Sequence, residues 1–447
     1  MAKLHLITYG CQMNEYDSER VAGLLRAQSY ELTDDAGDAD LILLNTCAIR
    51  EKAEDKVYSK LGQLRAVKAR RPDVVVGVMG CMAQLHHAEI RRRAPVVDLV
   101  FGSPAIGKVT SLVERVKRER RAIVETGEAP LVKITARPEG APRVRAYVTV
   151  MEGCEKHCTF CVVPTTRGRE RSHAPEVILD EIRGLVADGC REITLLGQTV
   201  NAYGRDLTPP TDLAALFERV DAVEGLARIR FTTSNPYNLT PRLIRAIRDV
   251  GKVCEYFHLP LQSGSDRILE RMNRGYTSAQ YLSLIDELRA AVPDIALSTD
   301  LIVGFPGETE ADFAATLAMV ERVGYDNVFA FRYSPRPGTP AATMSDQVPV
   351  EIKAERNARL LDVAGRVAAV RSRRLEGRTL EVLVDGRSKK DPAEISGRTR
   401  CNRVVNFHGD GRIGVGDVVH VRITEALPHS LRGTLASIGE DTECFSR

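Results

Sequence analysis

Apolar positions along the chain follow three successive rhythms. At the start, short apolar runs at 4–8, 41–44 and 74–79 alternate with charged, amphipathic stretches at 15–28, 51–69 and 85–93. Buried-type runs separated by helical periodicity predict βα units and a parallel sheet. The functional rim of such a sheet is the carboxyl end of its strands. A second βα series begins near residue 144. Its candidate strands are 144–150, 192–196, 228–232, 256–259, 295–303 and 327–331, with helices such as 175–187, 213–223 and 278–291 between them. Six units suit an incomplete (β/α)6 barrel better than a closed eightfold one. An Arg- and Ala-rich helix at 352–375 ends this series. Short β-type segments at 380–384, 403–406, 418–423 and 431–436 follow, separated by Gly-rich turns, and predict a small all-β, OB-like barrel. The expected protein is therefore α/β and multidomain: a parallel α/β domain over 1–120, the partial barrel over 140–370 and the β-barrel over 372–440. Residues 114–140, with a charge run and Pro130 and Pro138, read as a linker.

Composition narrows the class. Of 447 residues, 43% are hydrophobic and 28% charged, which is a globular balance. No apolar run approaches the ~18–20 residues of a membrane span, and residues 1–7 carry no secretory pattern. A cytoplasmic protein is expected. In that compartment ten cysteines point to metal or redox chemistry rather than disulfides. The net charge of +3 says little, but residues 371–434 hold thirteen Lys/Arg against eight Asp/Glu. The positive excess lies at the C-terminal end.

Two cysteine groups carry the chemistry. MEGCEKHCTFCVVP sets Cys154, Cys158 and Cys161 at C-x3-C-x2-C just after the first strand of the second series. One loop of this spacing can ligate three irons of a cubane and leave the fourth open to an exogenous chelating group. A zinc knot would need a fourth nearby ligand, and His157 lies inside the loop rather than beyond it. Cys11, Cys47 and Cys81 are far apart in sequence, yet each follows one of the first three strands, in YGC, NTC and MGC. Parallel strands ~4.8 Å apart bring such positions to one rim, within reach of a single cubane. Three half-buried cysteines acting as small hydrophobes are the alternative. Cys190, Cys254, Cys401 and Cys444 carry no motif and read as core or surface thiols.

The C-x3-C-x-aromatic-C loop after a first barrel strand resembles the signature of the radical S-adenosylmethionine enzymes. Further segments resemble one branch of them, the methylthiotransferases: YGCQMNEYDSE, LNTCAIREKAEDK, MGCMAQ, GRERSH, HLPLQSGSDRIL, MNRGYT, STDLIVGFPGE and FRYSPRPGTPAA. SGRTRCNRVVNF and ALPHSLRG resemble the TRAM RNA-binding domain. The likeness spans nearly the whole chain. Gln12-Met13-Asn14 and Ile49-Arg50-Glu51-Lys52 are similar to the bacterial tRNA branch. One departure is Ser234-Asn235-Pro236, where relatives often carry Ser-His-Pro.

The resemblance implies two [4Fe-4S] clusters and S-adenosylmethionine. Cys154, Cys158 and Cys161 would ligate the radical-generating cluster. Cys11, Cys47 and Cys81 would ligate an auxiliary, sulfur-presenting one. It places Phe160 against the cofactor adenine, with Gln198, Asn201, Gln262, Asp300 and Gly304 as further cofactor contacts. Arg398, Arg400, Arg403 and Arg432 would contact RNA. A basic β-barrel can track phosphates, although solvated surface charge is the plain alternative. The implied activity is methylthiolation at C2 of N6-dimethylallyladenosine, 3′ of the anticodon in tRNA. Implied partners are that tRNA and an electron donor such as a flavodoxin or ferredoxin, with a monomer as the working form. Methylthiolation of another adenosine or of a ribosomal protein side chain remains open, as does an RNA-binding protein with structural clusters.

Overall fold

In the computed structural model, residues 1–48, 51–127, 143–409 and 411–436 are described, without the side chains of 51–53. Pro130, Pro138, Ile49, Arg50 and Cys444 lie outside them.

The first domain is one parallel sheet of β1 (Ala2–Tyr9), β2 (Tyr30–Leu32), β3 (Leu41–Thr46), β4 (Val75–Gly80), β5 (Leu99–Phe101) and β6 (Ile123–Glu125). Their spatial order is β2-β1-β3-β4-β5-β6. Helices α1 (Gln12–Arg26), α2 (Glu51–Arg70), α3 (Cys81–Arg93) and α4 (Val109–Glu119) cover it. β3 and β4 are buried along their full length, as expected of central parallel strands covered on both faces. The three long strands were expected. The three-residue strands β2, β5 and β6 are too short to show a period. The charge run near 114–121 is not linker: it closes α4, whose other face is buried, and leads into β6.

The central domain has β7 (Arg145–Thr149), a two-residue pair β8 (Met151–Glu152) and β9 (Arg171–Ser172), then β10 (Glu192–Leu196), β11 (Arg228–Phe231), β12 (Tyr256–His258), β13 (Ala296–Val303) and β14 (Asn327–Arg332). Sheets β11-β10-β7 and β12-β13-β14 are parallel, and a single bridge from Ile229 to Val253 links them. The result is an open six-strand barrel whose main strands match the expected ones to within a residue or two. Helices α5 (Val163–Arg167), α6 (Pro175–Ala187), α7 (Leu213–Asp221), α8 (Pro241–Asp249), α9 (Asp266–Arg271), α10 (Ser278–Ala291) and α11 (Glu310–Val323) lie between strands, and α12 (Val350–Arg373) leads out. Caps fix several of these starts: Thr277 with Gln280 and Thr309 with Asp312 form reciprocal capping boxes.

The last domain is a closed barrel of β15 (Thr379–Arg387), β16 (Ile395–Thr399), β17 (Val404–His408), β18 (Val418–Ala426) and β19 (Leu431–Leu435), ordered β15-β16-β17-β19-β18. Val382, Val384, Ile395, Val405, Phe407, Val421, Ile423 and Leu431 fill it. Strand β16, reading ISGRT, has only one large apolar side chain and was not expected as a strand.

Among the described residues no helix is long and apolar enough to cross a membrane.

Candidate active site between three domains

Sheet register builds the first cysteine group. Tyr9 pairs with Thr46 and Thr46 with Gly80, so the ends of β1, β3 and β4 are level. Cys47 and Cys81 follow immediately, and Cys11 comes one residue later. The strand order reverses between β1 and β3, which makes this rim a topological switch point, the usual ligand crevice of an open α/β sheet. Two glycines let the chain turn here. Gly80 has φ +92°, and a Cβ on it would sit 2.3 Å from Asn45 Oδ1; a Cβ on Gly10 would sit 2.2 Å from Asn14 Oδ1.

The two asparagines hold the group together. Asn14 Nδ2 donates to Asn45 Oδ1 at 3.1 Å, and Asn45 Nδ2 donates to the Asn14 carbonyl at 2.7 Å. Asn14 Oδ1 accepts from the Cys11 amide at 3.2 Å and its thiol at 3.4 Å. A hydrogen bond from Cys47 brings the Cys11 thiol down to about 5. Burial opposes this, and the Arg167 guanidinium assists it.

The second group sits in one loop. The Cys154 amide donates to the Gly168 carbonyl at 3.1 Å. Gly153, at φ +83°, lies so near Arg169 that a Cβ would be 1.9 Å from the Arg169 carbonyl oxygen. The end of α9 and the chain after it clamp the middle of the loop. Thr159 Oγ1 donates to the Arg271 carbonyl at 2.8 Å, and Asn273 Nδ2 to the His157 carbonyl at 2.8 Å. Arg274 Nη1 donates to Cys158 Sγ at 3.3 Å. Arg274 is held protonated above its ordinary range: burial works against its charge, and Tyr276 and Cys158 outweigh it. Burial pushes Cys161 up to about 12 and raises Cys154. His157 is exposed and does not line the cavity that the cysteines share.

Both groups open into one cavity of about 1240 Å³, lined by all six cysteines. That exceeds the ~300–1,000 Å³ of a site for one small ligand. Phe160, Gln198, Gln262 and Asp300 also line it. Phe160 meets Phe305 edge-on at 6.4 Å, and Asp300 faces His258 Nε2 at 3.6 Å. Gln198 accepts from the Gly153 amide, tying this wall of the cavity to the cysteine loop. Two expected cofactor contacts stand behind the wall. Asn201 is buried and exchanges hydrogen bonds with the Asn235 backbone, both at 2.9 Å. Gly304 makes a turn at φ +68° against Lys353. The Ser-Asn-Pro departure is thus structural: Asn235 pairs with Asn201, and its side chain caps the turn at Tyr237.

The chain matches three family models: the uncharacterised protein family UPF0004 over residues 3–102, the radical SAM superfamily over 148–320 and the TRAM domain over 373–436. It is 49% identical to the tRNA-2-methylthio-N(6)-dimethylallyladenosine synthase of Moorella thermoacetica, over 96% of this chain and 97% of that one. It is 48% identical to the synthase so named of Methylococcus capsulatus, over 99% and 98%. The chain belongs to the tRNA-2-methylthio-N(6)-dimethylallyladenosine synthase family. A solved structure of the radical S-adenosylmethionine methyltransferase TsrM from Kitasatospora setae, with cobalamin and a [4Fe-4S] cluster bound, aligns at TM-score 0.57. It is 14% identical, with 76% of this chain and 77% of that one covered. At that identity the likeness is one of fold.

The residues present fit the two clusters that a synthase of this family implies. Each group offers three sulfur donors, and cations attend them: Arg274 donates to Cys158, and the thiols of Cys81 and Cys11 act on the charge of Arg167. Among the described residues no three such side chains close around a single ion. A cubane spreads its ligands over separate irons and needs a wider triangle. Cys190, Cys254 and Cys401 do not line the cavity.

The four arginines expected on RNA divide. Arg400 makes a two-pronged ion pair with Glu255, 2.8 Å in each arm, and also donates to the Val253 carbonyl. Arg403 reaches Asp326 at 3.2 Å. These two, expected as RNA contacts, dock the β-barrel on the central domain, where carboxylates of the chain answer their charge. Arg228 and Arg230 dock it from the other side, through Glu381 and the carbonyls of residues 398–400. Arg398 points into the cavity and donates to Asn402 Oδ1 at 3.1 Å. Arg432 stays half-exposed beside Glu394. Spacing could not separate them: residues two apart on a strand share a face, but β16 ends at Thr399 and Arg400 lies in the turn beyond it. Sequence reasoning also missed Arg145, Tyr147 and Arg230, which line the cavity near Arg398. Burial lowers Arg398, and Arg145 and Arg230 lower it further. Asp385 pairs with Arg145 at 2.8 Å and Glu192 with Arg230 at 2.9 Å, so among the described residues Arg398 is the one of the three with no carboxylate at ion-pair distance.

Proposed function

We propose that this chain installs the 2-methylthio group on N6-dimethylallyladenosine in tRNA, at the nucleoside 3′ of the anticodon. The observation that carries the reading is the sharing of one cavity by two cysteine triads and an arginine-rich end. The adenine C2–H is neither acidic nor electrophilic enough for acid–base chemistry, so the hydrogen must leave to a carbon radical. With clusters and S-adenosylmethionine bound, the Cys154, Cys158, Cys161 site supplies that radical and the Cys11, Cys47, Cys81 site presents the sulfur.

The chain's own groups orient and enclose. Phe160, Gln198, Gln262 and Asp300 hold the cofactor beside the first triad. The buried contacts of α1 with the central domain, Tyr16 to Glu181 at 3.1 Å and Arg20 to Glu152 at 3.1 Å, fix the second triad over it. Arg398, which has no carboxylate at ion-pair distance among the described residues, faces the entering nucleotide and favours its phosphates. Water is kept from the reacting carbon by Met13, Tyr16 and Leu196, which seal the joint between the domains. The chain acts as a monomer, with one-electron reduction from a flavodoxin- or ferredoxin-type donor.

The test is nucleoside mass spectrometry of tRNA from bacteria lacking their own synthase. Expressing this chain should convert N6-dimethylallyladenosine to its 2-methylthio form. Unmodified tRNA with a methylthiolated ribosomal protein would overturn the reading.

A further inference from the structure

Arg167 lies six residues beyond Cys161, at the end of α5, and is 3% exposed. Its Nη2 donates to Asp17 of α1 at 2.6 Å. Its Nη1 is buried and has no hydrogen-bond partner among the described residues. A buried cationic donor without an acceptor is expensive, and one carboxylate already answers the charge. The nearby Glu152 is engaged with Arg20. Besides Asp17 and Glu152, the groups that act on the charge of Arg167 are the thiols of Cys81 and Cys11. α5 packs on α3, whose first residue is Cys81, and Val162 packs against Cys81 and Ala48. Arg167 lines the cavity with Cys11, Cys47 and Cys81, and those of 81 and 11 help keep it protonated.

We infer that Arg167, although it belongs to the radical-loop domain, is a positioning residue for the other site: its Nη1 donates a charge-assisted hydrogen bond to the sulfur assembly on Cys11, Cys47 and Cys81. This rests on the proposed reading of that triad as a cluster site. The consequence is electrical. Net charge and hydrogen bonds to the sulfurs set a cluster's potential, and a buried cation beside it favours the reduced form. Asp17 orients the guanidinium and offsets part of its charge.

The test uses the full chain with Cys154, Cys158 and Cys161 replaced by Ala, reconstituted with iron and sulfide, so that only the auxiliary site is read. The measurement is a redox titration followed by electron paramagnetic resonance. Arg167→Gln should shift the one-electron equilibrium at least tenfold toward the oxidised form, about 59 mV. Arg167→Lys should recover most of the shift. Asp17→Asn, which keeps the cation and removes its counter-charge, should move the potential the opposite way. A residue that only holds the domains together would change stability and leave the potential in place. An unchanged potential in Arg167→Gln overturns the inference, as does an equal fall in the Lys variant. Should the Gln variant fail to load iron, the sign of the Asp17→Asn shift decides: a fall or no change overturns it. Absence of iron from the parent triple variant would instead overturn the reading of the triad itself.

Discussion

The two cysteine triads are built in opposite ways. Cys154, Cys158 and Cys161 share one loop, clamped by the end of α9 and the chain after it. Cys11, Cys47 and Cys81 meet only because three parallel strands end level. Their thiol chemistry differs as well: burial raises Cys161 to about 12, whereas the neighbouring Cys47 brings Cys11 down to about 5. A local triad depends on its loop. A distributed triad depends on sheet register and on whatever ties the strand ends, so a fault in the fold reaches it first.

Exchanging the ligands tests this division most severely. Two cubanes would give about eight irons per chain prepared without oxygen. Replacing Cys154, Cys158 and Cys161 together by Ala should leave about half of them and abolish reductive cleavage of S-adenosylmethionine. Replacing Cys11, Cys47 and Cys81 should also leave about half, with cleavage to 5′-deoxyadenosine still detectable and sulfur insertion lost. Iron analysis and product chromatography read both. A folded Cys11/Cys47/Cys81 variant that holds its four irons yet cleaves nothing would end the idea of divided labour.

A smaller change separates local from distributed more finely. Asn45→Ala removes partners of both Asn14 Nδ2 and Ser18 Oγ. Each buried group left unsatisfied costs about 1–3 kcal/mol. Denaturant unfolding should show a loss on that order, and iron at the auxiliary site should fall while the radical site stays loaded. Equal loss from both sites would mean that the asparagine pair supports the fold generally rather than the strand-end triad.

The same contrast explains how much could be read from the chain alone. The loop triad was legible because its spacing is contiguous. The distributed triad was legible because YGC, NTC and MGC each end a buried-type run, and register then did the rest. The barrel strands were legible to within a residue or two because parallel strands form dense apolar runs. Strands β2, β6 and β16 were not, since charged or small polar residues leave no apolar run in them, and β5, three apolar residues beside Asp98, was not expected either. Asn201 and Gly304, expected as cofactor contacts, stand behind the cavity wall: a motif gives the turn and not the direction a side chain takes from it. Arg167 was hidden for a related reason: its partners Asp17, Cys81 and Cys11 come from another domain.

The arginines of the C-terminal barrel give the finest comparison. Arg398 and Arg400 are two residues apart on or beside one strand, yet one faces the cavity and the other is locked to Glu255. If Arg398 neutralises a phosphate, Arg398→Gln should weaken tRNA binding and reduce the slope of log affinity against log salt by about one. Activity should fall mainly through a raised KM, as when uniform binding is lost, and cofactor cleavage without tRNA should be unchanged. Arg400→Gln should behave differently. Its partner is a carboxylate of the same chain, so its loss weakens the docking of the barrel and leaves the salt slope near its original value. A double replacement with Glu255→Gln should then add less than the sum of the single losses, because both variants break one contact. Filter binding at several salt concentrations, alongside thermal unfolding, distinguishes the two arginines. If Arg400→Gln lowers the salt slope as much as Arg398→Gln does, the docked arrangement opens when tRNA binds, and Arg400 exchanges Glu255 for a phosphate.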